Sequence, residues 1–127
     1  PDGLGAPGLN LGHCAGSSDG LTAYLLGKAL PEAQMAAWRA EKEPGAERAE
    51  RLAALNHSLD HAEAVIRLVD PATFADARYV GRKRLPTTVV GLIVHIAEHT
   101  QRHVGQAISA AKLARRHSPD DESEDRR

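Results

Sequence analysis

The chain has 127 residues, enough for one domain with a hydrophobic core but too few for two. A formal net charge of −1 and an aromatic content of 3% argue against a nucleic-acid or membrane-surface partner. The single cysteine, Cys14, cannot form an internal disulfide. The sequence shows no signal peptide, and no apolar run approaches the roughly 18 residues of a membrane span. We therefore expect a cytoplasmic protein.

The first 28 residues predict an irregular lead-in followed by a helix. Residues 1–8 are rich in proline and glycine, whereas residues 9–28 favour a helix that ends near Gly27. Three glycines recur at every fourth position on one face of this helix: Gly12, Gly16 and Gly20. Glycine costs about 1 kcal/mol per helix position relative to alanine, so this face indicates a closely approaching neighbour or room for a ligand.

Two further helices are predicted before residue 70. A proline in the first turn favours a short helix over residues 31–42, and Pro44 interrupts the chain after it. Residues 46–69 form a second long helix, which Asp70 and Pro71 end. Its apolar residues step by 3, 4, 3, 4 and 3 positions: Leu52, Leu55, Leu59, Ala62, Ile66 and Val69. Such a stripe is typical of a helix in a bundle.

The connector over residues 71–86 shows no clear periodicity. It contains a short basic cluster of Arg82, Lys83 and Arg84. We interpret this cluster as a solvated loop, with a contact to an anion or a substrate as the alternative.

A third long helix is predicted from Pro86 to about Ala114. The charged residues 117–127 predict a disordered tail. Residues 9–116 are therefore expected to form a single all-α domain, an up-and-down helical bundle.

The last helix carries two histidines four residues apart, His99 and His103. At about 100° per residue they continue the apolar row of that helix. The row is Leu92, Ile96, His99, His103, Ala107 and Ala110. Core-facing histidines with no carboxylate on the row are costly unless they are bonded, and this spacing lets both rings reach one ion. The pair predicts metal ligation; two structural histidines hydrogen-bonded in the core are the alternative.

Other histidines are weaker candidates. His95 lies nearer the edge of the apolar arc, which favours a supporting or interface position. With Glu98 and His99 it matches the short H-x-x-E-H string of inverted zinc peptidases, but Glu98 faces away from the core row and could not serve as a base there.

His57 and His61 have the same four-residue spacing but lie opposite their helix stripe, so we expect surface side chains.

A catalytic type of metal site requires a third protein ligand and an open position. His13, near the start of the first long helix, is the candidate, with a capping or surface histidine as the alternative. Ser17 and Tyr24 follow on the same face, and small residues there leave space above an ion. Tyr24 could donate a hydrogen bond into that space.

The segment from His95 to Gln106, HIAEHTQRHVGQ, resembles the last helix of the DinB/YfiT-like superfamily, and the resemblance extends over residues 9–115. Members also carry a histidine on an early helix, in a context similar to that of His13. The resemblance implies a four-helix bundle with a divalent-metal site on His13, His99 and His103. Zinc is the expected metal, with nickel, iron or manganese as alternatives. The resemblance also implies that Gly105 permits close helix packing and that Gln106 lies beside the metal site or at a helix contact.

For function, the resemblance implies a metal-dependent enzyme with a small-molecule substrate, either a transferase that uses a low-molecular-weight thiol or a hydrolase, and it implies a homodimer. The alternative is a non-catalytic, metal-stabilised bundle that acts in stress responses or as an interaction module. We expect Cys14 to be a buried spectator rather than a nucleophile, because it is rotated about 100° from His13.

The chain departs from the family pattern at its beginning. Relatives carry a long helix before the one with the first histidine, whereas eight residues precede that helix here. We therefore expect either that the chain is truncated and lacks the usual first helix of the bundle, or that a partner subunit supplies the missing packing surface.

Overall fold

The computed structural model describes residues 7–30 and 48–116, with side chains from residue 11 onward. The elements in chain order are α1 (Pro7–Leu25), α2 (Arg48–Arg67), a 3-10 turn (Pro71–Thr73), β1 (Ala77–Val80), β2 (Leu85–Thr88) and α3 (Val89–Arg116). The predicted all-α class is confirmed, with one small sheet added. The predicted short helix over residues 31–42 and the tail over residues 117–127 lie outside the described residues. No helix within the described ranges is long and apolar enough to cross a membrane.

Helix α1 lies between the other two helices and packs against both. Its buried side chains are mostly small: Cys14, Ala15, Ser17, Ser18, Leu21, Thr22 and Leu25. The Ser18 hydroxyl donates to the Cys14 carbonyl at 2.8 Å, and the Thr22 hydroxyl donates to the Ser18 carbonyl at 2.7 Å. These bonds within the helix satisfy hydroxyls that burial would otherwise leave unpaired.

The main apolar core joins all three helices at the C-terminal end of α1. Its buried members are Leu21, Leu25, Ala62, Val89, Leu92 and Ile96. A smaller cluster of Cys14, Ala15 and Leu55 joins α1 to α2. The predicted stripe of α2 is confirmed at Leu55 and Ala62, which are buried, but it is wrong at Leu52, which remains 37% exposed at the start of the helix.

The C-terminal end of α1 is closed by a Schellman motif. Gly27 adopts a φ of +73°, which side-chain-bearing residues rarely adopt. Its N–H donates to the Tyr24 carbonyl at 2.9 Å, and the Lys28 N–H donates to the Ala23 carbonyl at 2.9 Å. The prediction of a helix ending near Gly27 is confirmed, with the last helical residue at Leu25.

A two-stranded antiparallel hairpin replaces much of the predicted connector. Ala77 pairs with Thr88 and Val80 pairs with Leu85. The four-residue loop between the strands has positive φ at Gly81 (72°) and Arg84 (48°), and the Arg84 N–H donates to the Gly81 carbonyl at 3.1 Å. The connector prediction was wrong here, because strands of four residues are too short to show a clear alternation of polar and apolar positions.

Helix α3 begins at Val89 rather than at Pro86, because the residues before it pair with β1. Thr88 caps the helix: its hydroxyl accepts the Gly91 N–H at 3.1 Å. A Cβ atom on Gly91 would lie 2.6 Å from Oγ1 of Thr87, so the cap favours glycine at this position.

Candidate metal centre

The core-facing row predicted for α3 is confirmed. Leu92, Ile96, Ala107 and Ala110 are buried, and His99 and His103 lie between them, partly buried. By contrast, His57 and His61 on α2 are both exposed. Helix facing therefore separates the two pairs as expected.

Helix α1 adds a third imidazole to the pair on α3. One ring nitrogen each from His13, His99 and His103 lies within 4.8 Å of the other two. The ring centroids are 4.4 Å apart for His99 and His103, 4.6 Å for His13 and His103, and 5.5 Å for His13 and His99. We call these three residues the histidine cluster. The packing of α1 on α3 thus brings together the three residues singled out from the sequence.

The electrostatics of the cluster favour neutral imidazole. Burial, together with the smaller repulsion from charged forms of His103 and His13, lowers the pKa of His99 to about 4. His99 is therefore uncharged at neutral pH, the form in which histidine binds a metal ion. His13 is exposed, so one side of the cluster is open to solvent.

The hydrogen-bonding state of the α3 pair fits a metal ion. The Nδ1 atoms of His99 and His103 are buried and have no hydrogen-bond partner. Leaving such an atom unpaired costs about 1–3 kcal/mol, and coordination through Nδ1 would offset that cost. The alternative of two structural histidines hydrogen-bonded in the core finds no support at Nδ1 of either ring.

Of the two α1 residues predicted to lie beside His13, Ser17 is near the histidine cluster and Tyr24 is not. The Ser17 hydroxyl lies 3.4 Å from Nε2 of His13, so the two share a long hydrogen bond beside the cluster. Tyr24 follows His13 by eleven residues, which places it about 16 Å further along α1. It packs against the main core, and this position argues against the predicted contact with the metal pocket.

The residues of α3 near His99 and His103 differ in how exposed they are to solvent. His95 is exposed, with its ring centroid 5.9 Å from that of His99. Glu98 is exposed, consistent with its predicted orientation away from the row. Gln106 is half-buried. Gly105 is exposed, and a Cβ atom there would meet no atom within 4 Å, so the close packing implied for Gly105 is not seen among the described residues.

Cys14 is fully buried next to His13 in sequence. Burial raises the pKa of its thiol, an effect only partly offset by the neighbouring hydroxyls of Thr100 and Ser18. A buried thiol with a raised pKa is a poor nucleophile, which supports the expectation of a spectator residue.

Comparison with known proteins gives one match. The model of the DinB superfamily matches residues 3–107, a span that contains all three members of the histidine cluster. No curated protein and no solved structure matches the chain.

Proposed function

The chain belongs to the DinB superfamily, and we propose that it uses the histidine cluster to bind a divalent metal ion, with zinc as the first choice. The observation that carries the proposal is the convergence of three ring nitrogens within 4.8 Å. The unpaired Nδ1 atoms of His99 and His103 support it, because burial leaves those rings in need of a partner.

We further propose that the site is catalytic, in an enzyme of the thiol-dependent transferase or hydrolase type. Three protein ligands are usual in catalytic zinc sites, whereas structural zinc sites use four. Within the described ranges the cluster offers three histidines and no carboxylate. The exposure of His13 leaves a side from which a small molecule can reach the cluster.

A bound metal of this type supplies Lewis acidity, through which a water molecule or a thiol loses its proton near neutral pH. The chain's own residues orient the ligands. Ser17 steadies the His13 ring through their shared hydrogen bond, while Ile96 and Ala107 fix the turns of α3 that carry His99 and His103. Since the cluster includes no carboxylate that could act as a general base, a low-molecular-weight thiol suits it better than a substrate that needs one.

The ligand assignment is tested by metal content. We expect wild-type protein to retain zinc after dialysis and the variants His99→Ala and His103→Ala to lose it. His57→Ala is the matched control, because it removes one histidine of an identically spaced but exposed pair. Elemental analysis of the purified proteins provides the measurement, and equal metal content in all variants would contradict the assignment.

The catalytic role is tested separately from ligation. In the cobalt-substituted protein, a thiol such as dithiothreitol is expected to change the visible absorption spectrum, and removal of the metal is expected to leave the circular dichroism of the helices unchanged. A spectrum insensitive to thiols, together with unfolding on chelation, would favour the non-catalytic, metal-stabilised bundle instead.

A further inference from the structure

A groove of about 510 Å³ lies between the C-terminal end of α1 and the hairpin. Its size is within the range of roughly 300–1,000 Å³ that is usual for small-molecule sites. Its polar and aromatic lining residues are Tyr24, Lys28, Arg78, Tyr79, Arg82 and Arg84. We call this feature the basic groove.

The charge of the basic groove differs from that of the chain as a whole. The hairpin from Ala77 to Thr88 carries four of the chain's 16 basic residues and none of its 17 acidic residues. Lys28 adds a further positive charge from the end of α1. In a chain with a net charge of −1, this segregation produces a local positive potential that attracts anions.

Two arginines of the basic groove are held in place by the fold. Nε of Arg78 donates to the Leu25 carbonyl at 2.8 Å, and its Nη1 donates to the Ala77 carbonyl at 2.9 Å. The Arg84 guanidinium lies over the Tyr79 ring, 4.5 Å from its centroid. Side chains that are already ordered lose less conformational entropy when a ligand binds, so these contacts prepare the groove for an anion.

The basic groove is separate from the histidine cluster. Tyr24 lines the groove and follows His13 by eleven residues on one continuous helix, which corresponds to about 16 Å. A ligand in the groove therefore need not contact the cluster, and the two sites can be tested independently.

We propose that the basic groove binds a small organic anion. Its phosphate or carboxylate group contacts the ordered Arg78 together with Arg82 and Lys28, and its apolar body packs against Tyr24 and Tyr79. Guanidinium groups are well suited to such oxygens, because they offer paired donors in a planar arrangement, and the tyrosine rings supply the apolar contact area.

The test is a titration of the protein as purified with phenyl phosphate and with benzoate, followed by amide chemical shifts in NMR. We expect either ligand to shift amides in residues 26–30 and 77–84, and the tighter of the two identifies the acidic group. Inorganic phosphate is expected to bind more weakly than phenyl phosphate. Equal affinity would overturn the contact with the tyrosines, and no binding by either organic anion would overturn the proposal.

Charge-reversal variants locate the binding. Lys28→Glu and Arg82→Glu are expected to weaken binding at least about tenfold, the effect of losing one charge-assisted contact of about 1.4 kcal/mol. Lys112→Glu makes the same change of charge on an exposed part of α3 and is expected to change affinity less than about twofold. Equal weakening by all three would show a nonspecific charge effect and overturn the proposal.

The variant His99→Ala separates this proposal from the metal site. Binding of phenyl phosphate is expected to persist in His99→Ala, because the basic groove does not include the cluster. Loss of binding in that variant would place the anion at the cluster and overturn the groove proposal without affecting the assignment of the metal ligands.

Discussion

Two pairs of histidines in this chain have identical spacing and different surroundings. His57 and His61 lie on α2, where both are exposed. His99 and His103 lie on α3, in the row that packs toward α1, where His13 comes within reach of both. The four-residue spacing brings two rings onto the same side of a helix in each case. The stripe of apolar neighbours decides whether that side meets another helix, and so whether a third ligand is available.

The largest expected difference between the pairs is in stabilisation by zinc. A ligand at 1,000 times its Kd stabilises the folded state by about 4 kcal/mol. We expect this gain in the wild type and in the double variant His57→Ala/His61→Ala, and no gain in His99→Ala/His103→Ala. Urea unfolding with zinc and with a chelator provides the measurement. An equal gain in the two double variants would remove the distinction between the pairs.

The next effect concerns the apolar row that determines the facing of the α3 pair. Leu92 is 1% exposed, so Leu92→Ala is expected to destabilise the metal-free protein by about 3 kcal/mol, through lost burial and a residual cavity. Val94 on the same helix is 52% exposed, and Val94→Ala is expected to change stability by less than about 0.5 kcal/mol. Urea unfolding measures both, and similar losses would show that the row does not face the core.

A smaller effect is expected from the protonation of His99. The folded protein has a pKa of about 4 at this residue, below the usual histidine value of 6.5, so between those values the unfolded chain binds the proton more tightly. The stability of the metal-free protein is therefore expected to fall as the pH is lowered from 6.5 toward 4. Between pH 6.5 and 4, the urea midpoint should depend less on pH in His99→Asn than in His57→Asn. Identical pH profiles would contradict the assignment of this pH dependence to His99.

The smallest effect concerns Gly105, two residues beyond His103. Because a Cβ atom there meets no atom within 4 Å, Gly105→Ala is expected to stabilise the protein by about 0.5–1 kcal/mol through helix propensity. Gly91→Ala is the matched control on the same helix and should gain less, since its Cβ atom would lie 2.6 Å from Oγ1 of Thr87. Thermal melts of both variants provide the measurement. A loss of stability in Gly105→Ala would reveal a close neighbour on that face.

Much of the helical framework and the cluster follows from local patterns in the sequence. The row of α3 could be predicted because a long helix repeats its apolar period many times, which fixed the facing of His99 and His103. His13 was harder to predict, since its relation to the pair depends on how α1 packs on α3. In that case the resemblance to relatives supplied information that residue spacing alone does not contain.

The hairpin and the basic groove could not be predicted in the same way. Four-residue strands give too few repeats, and the proline at position 86 argued for a helix start, although it pairs with Tyr79 at the open edge of a two-stranded ribbon. The β-branched Thr87 and Thr88 were the available signal for a strand. The groove depends on a contact between residues far apart in sequence, Arg78 and Leu25, so the basic cluster alone favoured a solvated loop and gave an anion or substrate contact only as the alternative.

The distribution of the histidine cluster over α1 and α3 also affects how it forms. His13 and His99 are 86 residues apart in sequence, and joining two points at that separation in an unfolded chain costs about 4–5 kcal/mol of loop-closure entropy. The packing of Leu21 and Leu25 of α1 against Leu92 and Ile96 of α3 contributes to offsetting this cost. An ion held by all three rings would act as a crosslink between the first and last described helices and would oppose their separation.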